Sequence, residues 1–448
     1  MNTPICDFVQ RYGHATMVRA HMPGHKGKAC LGPETLDITE IPGADVLYNA
    51  RGIIRESEEN AGKLFGSGAT FYSTEGSSLC IRAMLRLIQI FSQQEKKPPL
   101  IAAARNVHRV FMSAAALLHF TVDWLDSGDS SYLSCVLSPD SLEEYLQGAD
   151  PLPAAVYVTS PDYPGRLQDI PGLARVCHRH GVLLAVDNAH GAYLRFLPES
   201  LHPITLGADL CCDSAHKTLP ALTGCAYLHI GPNAPALLAR EAEDALSLFA
   251  STSPSYVLLQ SLDWVNGWMA GEGTQKLRDF LPKVAALREE LIQAGWTLLS
   301  DEPLKLTILP KNLGYTGDGL ADYLGEQGIV CEFSDPDLLT MMLSPSNSEG
   351  ELEYLKDTLL RLPRLCPILE KPPRKTSFPA RSIPAQSAFL PAERLPVKEC
   401  VGRILCDPCV SCPPAVPIVC CGEVITAEAV KALEYYGVRQ VKVTTEVE

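Results

Sequence analysis

Between residues 99 and 230 short apolar runs alternate with polar stretches of helical spacing, and this alternation constrains the fold more than any other feature of the chain. Residues 100–104, 154–159, 182–186, 209–212 and 225–230 read as buried strands. Residues 141–147 and 171–180 read as helices between them, and Gly181 is a natural stop for the second. Continuously apolar strands separated by helices build a mostly parallel sheet with helices on both faces. Upstream, 56–65 and 78–91 also have helical spacing. The expected fold class is α/β.

Two long helices, 255–269 and 274–294, lead out of this domain. A strand at 304–309, a helix at 319–328, a strand at 329–333 and a helix at 351–361 then suggest a smaller α+β domain. Residues 363–395 are rich in proline, serine and basic residues and read as a linker. Patterned sequence resumes with a strand at 416–420, a helix at 426–436 and a strand at 440–444. The expected organisation is an N-terminal arm (1–30), a large α/β domain (31–265), a small α+β domain (266–365), a linker (366–395) and a C-terminal α+β appendage (396–448).

Acidic residues outnumber basic ones 52 to 38, a formal charge of −14, which argues against a nucleic-acid partner. Such a field suits a cationic ligand, although it also serves solubility alone. The first residues lack a basic region followed by an apolar one, so no secretory signal is expected. The apolar stretch 111–125 is interrupted by His119 and Asp123 and is shorter than the roughly 20 residues that span a bilayer. A cytoplasmic protein without a membrane partner is therefore expected.

The sixteen cysteines would be thiols in that compartment. Cys406, Cys409 and Cys412 have metal-like spacing, but no second half follows and Pro408, Pro413 and Pro414 crowd them. They read as small apolar residues, and no metal is expected.

Four pieces of sequence carry candidate chemistry. Asp213-Ser214-Ala215-His216-Lys217-Thr218 places a lysine among hydroxyls and a histidine just past a strand. Such a lysine suits Schiff-base chemistry beside a phosphate, although alone it reads more readily as a solvated loop residue. Asp187 ends an apolar strand thirty residues earlier, at the sheet edge where ligands bind, and suits a pyridinium partner as well as it suits a helix cap. Gly76-Ser77-Ser78 opens a helix and offers amides and hydroxyls to an anion. His108 follows the strand 100–104, where its ring could stack on a flat cofactor. Each is modest alone; their order along one parallel sheet points to pyridoxal 5'-phosphate (PLP).

The same residues resemble a known family. His21-Met22-Pro23-Gly24-His25-Lys26-Gly27, Asp37-Ile38-Thr39-Glu40 with Gly43-Ala44-Asp45, Ser214-Ala215-His216-Lys217-Thr218-Leu219-Pro220, Thr252-Ser253-Pro254-Ser255-Tyr256, and Pro413-Pro414-Ala415-Val416-Pro417 with Gly422-Glu423 are similar to signatures of the bacterial Orn/Lys/Arg decarboxylases, over nearly the whole chain. The size resembles the shorter members, without a receiver-like N-terminal domain. The resemblance implies a fold-type I PLP enzyme with an aspartate-aminotransferase-like large domain. It also implies decarboxylation of arginine, lysine or ornithine to a polyamine-pathway amine.

Carried over by motif, Lys217 would be the cofactor lysine, Asp187 the partner of the pyridinium nitrogen and His108 the stacking ring. Ser77, Ser78, Ser214 and His216 would surround the phosphate. Thr252 would reach the phosphate of a neighbouring subunit in a homodimer or higher homo-oligomer. Lys217 or His216 would return a proton to the substrate. Glu423 would contact the substrate's distal cation. Glu75, Ala415 and Cys421 depart from the residues usual in relatives, where asparagine, glycine and proline are more common. An aminotransferase or lyase on the same cofactor, a non-catalytic PLP-binding homologue and a cysteine-rich metal protein stay open as alternatives.

Overall fold

The computed structural model describes residues 1–15, 18–28, 31–128, 131–299, 301–375, 378–408 and 415–445. The chain divides into two compact units. Residues 1–95 and 177–276 make up the first, and residues 96–176 and 277–448 the second.

The strands of the large α/β region are β1 Ala69–Ser73, β2 Leu100–Ala104, β3 Thr121–Leu125, β4 Ala155–Thr159, β5 Leu183–Asp187, β6 Leu210–Asp213 and β7 Ala226–Ile230. Further along lie β8 Thr297–Leu298, β9 Lys305–Leu309, β10 Phe333–Ser334, β11 Leu339–Met342, β12 Arg381–Ser382, β13 Ala392–Pro396 and β14 Gln440–Thr444. In the first unit the order is β1-β7-β6-β5. β5 and β6 are parallel, and β7 runs against both β6 and β1. In the second unit the order is β4-β2-β3-β12, with β2 parallel to both β3 and β4 and β12 antiparallel to β3. Within each unit three strands therefore point one way and one opposes them. The α/β class with a mostly parallel sheet is as expected.

The strands of the large α/β region are short, and most of their residues are buried. Every residue of β2, β5, β6 and β7 is buried. Helix α1 (Pro4–His14) is anchored by Asp263, whose Oδ2 accepts the Ile5 and Cys6 backbone N–H groups, both at 3.0 Å. This gives an acidic partner to amides that a helix start leaves unsatisfied. Asp263 lies on the helix Tyr256–Trp268, which is capped by Ser255.

Helix α2 (Ile53–Phe65) turns Glu58 inward, where Oε1 accepts the Tyr72 N–H at 3.0 Å. Burial pushes this carboxyl up to about 8 from an ordinary 4.5, with Arg55 opposing and Glu243 and Asp45 adding to the rise. The folded state therefore keeps a proton that the unfolded state loses above about 4.5. Stability falls as pH rises from there to about 8. Glu58→Gln is expected to melt close to wild type at pH 4 and progressively above it toward pH 8 in a calorimetric series. A constant difference across that range would contradict the assignment.

The second unit also holds an antiparallel sheet of order β10-β11-β9-β8 and the antiparallel pair β13–β14. Three expectations change here. The strand expected at 329–333 is replaced by a loop ending in β10, and Val330 is 92% exposed rather than packed. Residues 416–420 are buried but irregular, because Pro417 lacks an N–H and the Pro417 and Ile418 carbonyls accept from Arg105 instead of a ladder. The proline-rich stretch expected as linker contains β12 and the turn Ala385–Ala388. Arg381 grips Asp123 there with both guanidinium arms. Among the described residues no helix is long and apolar enough to cross a membrane.

Candidate active site

Most of the expected site residues belong to the first unit. β5 and β6 lie side by side with Asp187 opposite Cys212, so both strands end at the same level. Asp187 is buried, and its Oδ1 accepts the Ala189 N–H at 3.1 Å and lies 3.6 Å from the Cys212 thiol. The Asn188 N–H bonds the Cys212 carbonyl at 3.0 Å, which closes the corner after β5. β6 runs directly into the single turn Ala215–Thr218, which carries His216 and Lys217.

Lys217 Nζ stands 3.0 Å from His190 Nε2. His190 lies three residues past Asp187 and is buried. Sequence patterning alone assigns it no role, although its place in a strand-end segment with an acid is the available signal. His216 gives its Nδ1 proton to the Cys225 carbonyl at 2.9 Å, which leaves Nε2 with the ring's lone pair. Burial lowers its pKa, and Lys217 lowers it further, so the ring stays neutral at neutral pH.

The lysine turn is tied to the phosphate-loop candidate by Ser214 Oγ, which donates to Ser77 Oγ at 2.8 Å. Ser77 and Ser78 occupy the first turn of helix α3 (Gly76–Gln94), whose start has no side-chain cap. Gly76 adopts φ +71°, and a Cβ there would meet no other atom within 4 Å. Its N–H bonds the Gly224 carbonyl at 2.8 Å. Glu75 accepts the Ser251 N–H at 2.8 Å and so secures the start of the exposed loop that carries Thr252. The Thr218 hydroxyl oxygen is buried and has no hydrogen-bond partner among the described residues.

His108 and Glu423 belong to the second unit. His108 is exposed and caps the helix Arg109–Leu117, its Nδ1 accepting the Val110 N–H at 3.3 Å. Glu423 is buried with Arg105, whose Nη1 and Nη2 donate to its two oxygens at 2.7 and 2.6 Å. The Cys420 N–H and Ser382 Oγ complete its shell at 2.8 and 3.2 Å. Glu423 is thus committed to a cation of its own chain, and a substrate contact would require that pair to open. Cys409, Cys412, Pro413 and Pro414 lie outside the described residues, while Cys406 is buried and its thiol is raised by burial.

A strand-end lysine, a buried acid on the neighbouring strand and a hydroxyl-rich helix start can be compared with known proteins. The sequence model described as Orn/Lys/Arg decarboxylase, major domain, matches residues 3–307. The chain belongs to the Orn/Lys/Arg decarboxylase family.

Similar proteins within and around this family agree. The arginine decarboxylase of Bacillus subtilis is 28% identical over 95% of this chain and 92% of its own length. The uncharacterized protein YaaO of the same organism is 28% identical over 97% and 94%. Among solved structures, the Francisella novicida lysine decarboxylase LdcF superposes with a TM-score of 0.79 at 18% identity, covering 99% of this chain and 81% of that one. At that identity the likeness speaks to fold. A NifS-like protein, TM-score 0.54 at 17% identity over 68% of this chain and 86% of its own, extends the fold relationship to other fold-type I enzymes.

Proposed function

We propose that this Orn/Lys/Arg decarboxylase family member is a PLP-dependent enzyme that decarboxylates a basic L-amino acid, arginine, lysine or ornithine, to the corresponding amine and CO2. The observation that carries the reading is the Lys217 turn. An amine 3.0 Å from His190 sits on the turn whose Ser214 bonds the open start of α3. The residues present fit the cofactor. Uncapped amides and the Ser77 and Ser78 hydroxyls suit its phosphate, the bare Gly76 leaves room for close approach, and the partnerless Thr218 hydroxyl has a hydrogen bond to give. When bound, PLP supplies an aldehyde that condenses with amines and a conjugated ring that accepts the electron pair released as CO2 departs.

The chain's own residues do the rest. Lys217 would hold the cofactor through its amine, with His190 beside it at 3.0 Å. Asp187, buried at the end of β5, would pair with the ring nitrogen. His216, neutral with Nε2 available, and Lys217 are the groups that hold the proton and return it to the substrate's Cα. His108 is assigned to stacking on the ring, and Thr252 to the phosphate of a neighbouring subunit in a homodimer. Glu423 is not retained as a substrate contact, because its carboxylate already pairs with Arg105.

The test is product identification after incubation with PLP and a mixture of arginine, lysine and ornithine. Agmatine, cadaverine or putrescine with CO2 is expected, and the amine formed names the substrate. Keto acids in place of amines would replace the proposal with a transaminase. Bound PLP with no product from any of the three would leave a binding protein.

A further inference from the structure

Asp213, the last residue of β6, is fully buried four positions before Lys217. Its Oδ2 lies 2.9 Å from His202 Nε2 and 3.2 Å from His229 Nε2. Its Oδ1 accepts from Asn188 Nδ2 at 2.6 Å and faces the Cys211 thiol at 3.7 Å. His202 Nδ1 accepts the Ile204 N–H at 3.3 Å, so its proton sits on Nε2 and is given to Asp213. His229 Nδ1 is engaged by Thr70 Oγ1 at 2.8 Å, and burial lowers the pKa of this ring. Burial works against the charge on Asp213, yet the two histidines outweigh it and hold the carboxyl below its ordinary range.

His202, Cys211 and Asp213 are close enough together to suggest a metal site. The protons say otherwise. His202 offers a donor where a cation needs a lone pair, because its Nδ1 is already taken by the Ile204 N–H.

The oxygen that the histidines leave goes to Asn188, the residue after Asp187. The Asn188 side-chain Oδ1 is buried and has no partner among the described residues, so of the contacts of this side-chain amide the Asp213 carboxylate alone orients it. A bond from an amide to a buried charge is about twice as strong as one between neutral groups. The backbone of Asn188 is at the same time bonded to Cys212, and the chain then delivers His190 to Lys217.

We infer that Asp213 is a positioning residue of this site: acting through Asn188, it locks the corner carrying Asp187 and His190 to the strand whose end carries Lys217. The inference rests on the reading of Lys217 and Asp187 as cofactor residues. It assigns the two histidines to orienting a carboxylate rather than to ligating an ion.

The experiment compares wild type with Asn188→Ala, which cuts the link and leaves Asp213, His202 and His229 in place, and with Asp213→Asn. Three readouts are taken on the full chain with PLP: kcat and KM separately, the pH titration of the visible absorbance of lysine-bound cofactor, and the melting temperature. The titratable groups His190, His216, Asp187 and Cys212, and those around Asp213 (His202, His229, Cys211 and Tyr227), are unchanged in Asn188→Ala, so a shifted titration reports position. A loss in kcat of about tenfold to a hundredfold with KM nearly constant is expected, together with a shifted titration. Should Asp213→Asn fail to fold, Asn188→Ala still decides. A lower melting temperature with kcat and titration unchanged would reduce Asp213 to a structural role. Stoichiometric zinc in the purified protein would also overturn the inference. Absence of lysine-bound cofactor in wild type would overturn the site reading itself, and the inference with it, and is seen before any variant is made.

Discussion

Lys217→Ala is expected to lower amine formation by about ten-thousandfold or more, because one side chain is asked both to hold the cofactor covalently and to move a proton at Cα. The variant should lose the visible absorbance of lysine-bound PLP while retaining its melting temperature. Lys217 is only half-buried and lies on a single turn, so its removal opens no core cavity. The split between lost chemistry and kept stability separates the proposal from the simpler view of a solvated lysine after β6. Full turnover in the variant would end the assignment. A loss of only a few-fold would move the proton-handling role to His216 and leave Lys217 as one contact among several.

The second large effect is on stability. Arg105→Met should destabilise the protein by about 3–5 kcal/mol, the usual cost of leaving a buried charge without its partner. At about 2–4 °C per kcal/mol for a domain of some 150–250 residues, the melting temperature falls on the order of 10 °C. Glu423 would then sit 3% exposed with no cation against it. Burial opposes the charge on Arg105, but Cys420 and Glu423 outweigh it and raise its pKa. The guanidinium also lies 4.0 Å from the Phe378 ring centroid and 5.2 Å from that of Trp124. It bonds the Pro417 and Ile418 carbonyls at 3.3 Å as well. The double variant Arg105→Met/Glu423→Leu removes both charges and should recover a substantial part of the loss. If the double variant were as unstable as the single one, the carbonyl contacts and packing of Arg105, and not the ion pair, would be holding residues 417–423.

The buried strands were legible in the sequence because they are continuous apolar runs closed by turn residues. β2 lies where it was read, and β4, β5, β6 and β7 each begin one residue later than read. Asp187 was legible for the same reason, as the acid that ends an apolar run at the sheet edge where ligands gather, and Lys217 as a lysine among hydroxyls just past another such run; the start of α3 was legible from Gly76-Ser77-Ser78 opening a helical pattern. β1 was missed because Ala-Thr-Phe-Tyr-Ser is short and half polar; Tyr72 finds its hydroxyl partners on Ser57 and Asn266, residues far away in sequence. Residues 416–420 had the composition of a strand, but their carbonyls were needed by an arginine more than 300 residues earlier.

The charged networks follow that pattern throughout. Nothing near Glu423 in the chain names Arg105, nothing near Asp213 names His229, and nothing near Lys217 names His190. Periodicity and turn chemistry act over a few residues and determined the elements, their order and the candidate cofactor lysine. Which buried carboxylate meets which donor depends on strands and loops brought together only by packing. There the cost of an unpaired buried charge selects the partner. The tertiary structure alone decided that Glu423 belongs to Arg105 and that Asp213 belongs to two histidines and Asn188.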